Sequence, residues 1–189
     1  MRITGGAAKN ILLQSSKQAQ LRPATDQMRE AVFSYLQTYV TGTFFLDLFA
    51  GTGAYGLEAL SRGAVGGVFI ESHASTKVCL KSNLAAVCKS AQLTETICKI
   101  YQTDVFKWKP KPDQLFDLVF IDPPYALFQQ TRQRLLYTLI NLLKLKQSGH
   151  LLIELPGEIP TPALEHYTCI RRLGKNAPRH PNVCIYQAS

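Results

Sequence analysis

Asp122, Pro123, Pro124 and Tyr125 close an apolar run, "DLVFIDPPY", with residue types that could orient a planar amine for attack on an electrophilic carbon. Proline fixes φ and has no N–H, so Pro123 and Pro124 stiffen the loop while their carbonyls can accept hydrogen bonds. A carboxylate and a neighbouring carbonyl together make two acceptors for the two protons of an exocyclic nucleobase amine. Held in that way, a nitrogen lone pair otherwise delocalised into the ring points at an electrophilic methyl. Asp122 also stabilises the positive charge that develops on nitrogen, and Tyr125 offers a π-face on which the base can stack. Such chemistry requires neither a metal nor a covalent nucleophile.

A second group lies earlier in the chain. "DLFAGTGAYG" places Gly51, Gly53 and Gly56 at G-x-G-x-x-G spacing between a strand and a helix, and Glu71 closes the following strand. This spacing suggests a nucleotide-binding crossover, with a tight turn and a ligand so close that a Cβ would collide with it. Glu71 can accept hydrogen bonds from a ribose diol. A nicotinamide-dependent oxidoreductase meets the same description, but Asp47 argues against it. A carboxylate at that strand end sits badly beside a pyrophosphate and suits the ammonium of the methionine half of S-adenosylmethionine.

The elements that must carry these residues alternate along the chain. "RITGG" and "NILLQ" read as a hairpin or an arm. A helix capped by Thr25 or Asp26 runs to near Val40, with Met28, Val32, Tyr35, Leu36 and Tyr39 at helical spacing. Strands are expected over "TFFLDLFA", "GGVFIE", Thr96 to Tyr101 and Leu115 to Ile121, with helices from about Tyr55 to Ser61, Ala74 to Lys89 and Thr131 to Leu145. "HLLIEL", "YTCIRR" and "NVCIYQ" complete a doubly wound α/β sheet, and the last two, too close for a helical crossover, form an antiparallel pair at one end.

Composition limits the function classes. A chain of 189 residues with 46% apolar content reads as one enzyme domain. Its net charge of +8 favours a polyanionic partner, nucleic acid first. The five cysteines show no Cys-x-x-Cys spacing and read as reduced thiols, and "MRITGGAAKN" lacks the apolar core of a secretory signal. No run approaches the ~20 apolar residues of a membrane span. A cytoplasmic enzyme is expected, with no membrane or metal partner and a monomeric state.

In these blocks the chain resembles the class I S-adenosylmethionine-dependent N-methyltransferases with an Asp/Asn-Pro-Pro-Tyr/Phe motif. More narrowly, it is similar to the RsmD family of bacterial small-subunit ribosomal RNA guanine-N2 methyltransferases. "RITGG", "LRPATDQMREAVFSYL", "FLDLFAGTGAYGLEALSRGA" and "FDLVFIDPPY" carry the resemblance. It implies a Rossmann-like, mostly parallel seven-stranded sheet whose last strand is antiparallel. It also implies S-adenosylmethionine as cofactor, with Asp47, Gly51 and Gly53 lining the methionine side, Glu71 the ribose and Asp104 the adenine. Asp122, Pro123 and Tyr125 become the catalytic set, and ribosomal RNA or a small-subunit particle the partner. On this reading residues 1–24 form an RNA-facing arm and residues 25–189 the methyltransferase domain. Arg2, Lys9 and Arg22 are the arm's candidate RNA contacts, and Arg171, Arg172, Lys175 and Arg179 extend the basic rim from the tail. The chain departs from the family pattern at Asn10-Ile11, where Gly-Arg is usual: Asn tolerates the positive φ of the turn, but a basic contact is lost. "KNAPRHPNV" departs from the usual ending. The same site chemistry would also accept a DNA base amine or a protein glutamine, and a catalytically silent RNA-binding protein is a further alternative.

Overall fold

Short, largely apolar runs, several of them closed by glycine, proline or an acidic residue, form the strands of one sheet. The structure is a computed structural model that describes residues 1–15, 26–128, 130–175, 177 and 180–188. The strands are β1 (Phe44–Leu48), β2 (Gly66–Glu71), β3 (Cys98–Gln102), β4 (Phe116–Ile121), β5 (Leu145–Pro156), β6 (Tyr167–Gly174) and β7 (Pro181–Ala188). They form a seven-stranded sheet in the order β3-β2-β1-β4-β5-β7-β6. The pairs from β3 through to β5 are parallel, and β7 runs antiparallel to both β5 and β6. The expected doubly wound sheet and its antiparallel C-terminal pair are therefore present.

Helices α1 (Asp26–Leu36), α2 (Ala54–Ser61) and α3 (Ala74–Ala91) cover one face, where Phe33, Leu57 and Leu80 meet Phe45, Phe69 and Phe120 of the sheet. Helix α4 (Gln130–Asn141) and the β3–β4 connection cover the other, where Leu136, Ile140, Val105 and Trp108 meet Leu46, Val119 and Ile153. The winding reverses between β1 and β4. In open sheets of this kind ligands bind beyond the carboxyl ends of the strands at that reversal.

Two expected helices are shorter in the structure. α1 ends at Leu36, and a single 3-10 turn over Gln37–Val40 follows, entered at Gln37 with φ +43°. α4 ends at Asn141 rather than continuing to Leu145, because the Phe116 N–H bonds to the Lys144 carbonyl and Leu145 pairs with Phe116. Pairing with β4 wins there over helical periodicity. Thr25, the alternative cap of α1, lies outside the described residues.

The N-terminal hairpin is packed into the first layer. Arg2 bridges Leu12, Asn10 turns the chain with φ +73°, and Ile3, Ala8 and Leu13 are buried in the same core as α1 and α2. Glu58, fully buried within α2, accepts from the Thr4 N–H and hydroxyl and the Gly5 N–H. It also pairs with Arg62 at 2.8 Å and lies 3.8 Å from the buried Arg29. Burying a carboxylate is tolerable only with such a set of donors.

Candidate active site

The glycine loop begins where β1 ends. Phe49 turns out of the strand with φ +63°, the Ala50 N–H bonds to the Ile70 carbonyl, and Gly53 at φ +83° precedes the first residue of α2. Glu71 draws the loop toward β2: its Oε2 accepts the Gly51 N–H at 2.9 Å and its Oε1 the His73 N–H at 2.7 Å. On the far side, the buried Asn83 of α3 donates to both the Thr52 and Gln14 carbonyls and accepts the Gln14 N–H. One amide thus links the glycine loop to the arm.

The glycines divide into two kinds. A Cβ on Gly53 would lie 2.3 Å from Leu80 Cδ1, and one on Gly56 would meet the rings of Phe69 and Phe45. At these two the protein itself packs against the backbone, so the expected collision of a Cβ is with the chain's own side chains rather than with a ligand. At Gly51 the nearest atom to an added Cβ is the Phe49 carbonyl oxygen, 3.8 Å away. Here the space in front of the backbone is open to an incoming group.

Asp47 is 2% exposed, and its Oδ2 accepts the Gly56 N–H at 3.0 Å. Burial drives its carboxyl up to about 7; the Gly56 N–H opposes the rise and the Glu71 charge adds to it. Such a group regains its ordinary acidity when a cation arrives beside it.

Beyond β4, Asp122 and Tyr125 are half-buried, Pro123 is buried and Pro124 is exposed. The Pro124 carbonyl accepts the Leu127 N–H and closes a 3-10 turn over Tyr125–Phe128. That corrects the expectation of two unengaged carbonyls and leaves Pro123 as the candidate partner of Asp122. Tyr125 packs edge-on to Phe128, with ring centroids 6.5 Å apart.

Neighbouring polar residues escape a motif search. Tyr55, the fifth residue after Ala50, stacks on Phe120 at 5.3 Å and donates its hydroxyl to Glu154 Oε2 at 2.8 Å. Glu154 follows Ile153, which pairs with Ile121, so it lies level with Asp122 across the β4–β5 pair. Burial, then the charges of Glu154 and Asp122, hold the Tyr55 phenol far above its usual range. A lone acidic residue inside the apolar run "HLLIELP" is the signal that could have found Glu154.

The remaining expected residues are dispersed. Asp104 is exposed and caps its own turn, accepting the Phe106 N–H at 2.9 Å, as a turn-forming Asp does. Arg2 is exposed and follows Met1, whose sulfur meets the Thr52 hydroxyl of the glycine loop. Lys9 is exposed at the hairpin turn, which is fixed by Ala7 to Ser61 at the far end of α2, about 12 Å of helix away from the loop. The structure does not bring Lys9 to the mouth. Arg22 and Arg179 lie outside the described residues.

Residues 1–184 match the model of a family described as conserved hypothetical protein 95. The chain belongs to this family. Similar proteins of known name include the Ribosomal RNA small subunit methyltransferase D of Escherichia coli, 34% identical over 144 residues, which cover 76% of this chain and 67% of that protein. YlbH of Bacillus subtilis, a candidate rRNA methyltransferase, is 32% identical over 86% of each chain. Among solved structures, the Escherichia coli candidate methyltransferase yhhF superposes with a TM-score of 0.81 at 26% identity, covering 100% of this chain and 98% of that one. The RsmD resemblance carried by the motifs is thus met in both sequence and fold. Among the described residues, no helix is long and apolar enough to cross a membrane, and no cluster of His, Cys, Asp or Glu could hold a metal ion.

Proposed function

We propose that this chain transfers a methyl group from S-adenosylmethionine to the exocyclic N2 of a guanine in small-subunit ribosomal RNA. The observation that carries the reading is the gathering of Asp47, Gly51, Glu71 and Asp122 at the β1–β4 reversal in a chain of this family. The residues fit the cofactor. Asp47 is a buried carboxylate suited to an ammonium, Gly51 leaves room for close approach, and Glu71 Oε2 retains acceptor capacity for a ribose hydroxyl. Bound there, S-adenosylmethionine would supply an electrophilic methyl on a positively charged sulfur able to leave as a neutral thioether.

Asp122 and the Pro123 carbonyl hold the two amine protons, so that the nitrogen lone pair faces the methyl carbon. As nitrogen becomes positive, the Asp122 carboxylate stabilises it and stands ready to accept the proton it sheds. Tyr125 supplies a stacking surface for a base brought out of its helix or presented in a loop. Arg2, and Arg22 by its sequence, supply phosphate contacts.

Labelled methyl incorporation into small subunits from a strain lacking the modification tests this, followed by mapping of the modified base. Transfer to guanine N2 is expected. Label on a different amine, on DNA or on protein would replace the substrate assignment, and saturable binding of NAD without S-adenosylmethionine binding in calorimetry would replace the reaction.

A further inference from the structure

The site reading above leaves Tyr55 and Glu154 without a task, although both are buried beside Asp122. Glu154 is 5% exposed, and a buried carboxylate in an apolar strand is costly unless it does something that an apolar residue could not. Its Oε2 accepts a hydrogen bond from the Tyr55 hydroxyl, with the two oxygens 2.8 Å apart. The phenol ring is fixed by Phe120 at 5.3 Å and Phe33 at 6.5 Å, so the hydroxyl cannot swing to another partner without breaking the stack. Tyr55, Phe120, Ile121 and Glu154 line one narrow crevice, and Asp122 follows Ile121 directly. A tyrosine hydroxyl has one proton to give and lone pairs with which to accept. With its proton committed to Glu154, Tyr55 meets any further partner only as an acceptor.

We infer that Glu154 locks the Tyr55 hydroxyl as an acceptor, and that Tyr55 with Asp122 reads the contiguous donor edge of guanine, N1–H beside the N2 amine. The inference rests on the guanine-N2 reading above and adds the residues that choose the base. Adenine presents a lone pair at N1 and cytosine one at N3, each facing the Tyr55 oxygen lone pairs with no proton between. Sites built to pair a substrate N–H reject analogues that lack it, because the protein acceptor is left buried and unpaired. Asp122 alone would hold any planar amine; the locked phenol makes the neighbouring ring atom matter.

The test uses small-subunit RNA, assembled with its proteins, in which the target guanosine is replaced by 2-aminopurine. That base keeps the 2-amine and lacks the N1 proton. The wild-type enzyme is expected to prefer guanine by on the order of 10²-fold in kcat/KM. In Glu154→Gln the side-chain amide can donate to the phenol oxygen and free its proton, so the preference should shrink to within about tenfold. Tyr55→Phe should lose preference in the same way while S-adenosylmethionine affinity, measured by calorimetry, stays within about twofold in both variants. Equal wild-type rates on the two bases would overturn the proposal, as would variants that keep the preference or lose both rates in equal proportion. If Tyr55→Phe fails to bind cofactor, Glu154→Gln alone decides. Absence of transfer to guanine by a wild-type enzyme that binds S-adenosylmethionine would instead sink the reading on which the proposal rests.

Discussion

Around the glycine loop, the chain's own groups hold one another: Gly51 to Glu71, Gly56 to Asp47, and Thr52 to the arm through Asn83. Beyond β4 the backbone is stiffened by two prolines and a single 3-10 turn, and Asp122, Pro124 and Tyr125 keep part of their surface in solvent. On the proposed function, the difference follows what each half must meet. A small cofactor is bound by a cradle built in advance, since every degree of freedom frozen beforehand is one that binding need not freeze. A base belonging to a large RNA arrives with its own framework, and the protein has only to orient a ring and an amine.

The largest effect should come from dismantling the first half. Glu58→Ala removes the buried acceptor of Thr4, Gly5 and Arg62 and one of the two carboxylates beside the buried Arg29, which keeps Asp26 at 2.8 Å. A loss of about 3–5 kcal/mol in the urea unfolding free energy is expected. A loss below about 1 kcal/mol would show that the arm does not brace this half.

In the second half, Asp122→Ala should lower turnover by roughly 10²- to 10³-fold and leave cofactor affinity almost unchanged. Calorimetry with S-adenosylmethionine separates the two, and a matching loss of affinity would mean that the halves are not distinct.

The two kinds of glycine sharpen the contrast within the loop itself. Gly53→Ala, with its Cβ 2.3 Å from Leu80 and φ at +83°, should destabilise the fold, by about 1–3 kcal/mol. Gly51→Ala meets no protein atom closer than 3.8 Å. It should cost about 1 kcal/mol for its backbone conformation and weaken cofactor binding on the order of tenfold. Urea titration and calorimetry on both variants give the comparison, and a Gly51→Ala enzyme with unaltered affinity would remove that residue from the cofactor site.

The smallest signal is a proton count. Asp47 titrates near 7 in the unliganded protein because burial favours its neutral form. A cation bound beside it restores the ionised form, so at pH 7 cofactor binding should release about half a proton. Calorimetry in buffers of different ionisation heat reads the number, and Asp47→Asn should bring it to zero. An unchanged release in that variant would place the proton elsewhere.

Much of this was legible in the sequence because it depends on local rules. Strand runs, glycine spacing and the proline stop are written in adjacent residues, and they locate Asp47, Gly51, Glu71 and Asp122 at the carboxyl end of one sheet. Glu154 and Tyr55 were not legible as a pair, since a strand register and a helix entry far apart in the chain must both be known before the two meet. The same holds for Glu58 and Thr4, and for Asn83, which reads as an ordinary polar helix residue until Gln14 and Thr52 close around it. Lys9 shows the converse: its charge was plain, but only the path of the hairpin along α2 shows that it leaves the site. The length of α4 was misjudged because periodicity persists through Leu143 and Leu145, where pairing with β4 takes over.

The insertion of β7 between β5 and β6 has a consequence for the chain as it is made. From His150 to Pro156, β5 finds its second partner only in residues 181–187, with Val183 set against Glu154. A ribosome-bound chain that has emerged only through β6 therefore exposes an unpaired strand edge flanked by Leu151, Leu152, Ile153 and Leu155, the sort of edge that recruits other chains. The crevice that Val183 of β7 shares with Tyr55, Phe120 and Glu154 is not closed until β7 slots in. Folding of this half of the sheet therefore waits until β7 has emerged, while the glycine loop and its braces, all contributed before residue 84, can assemble earlier.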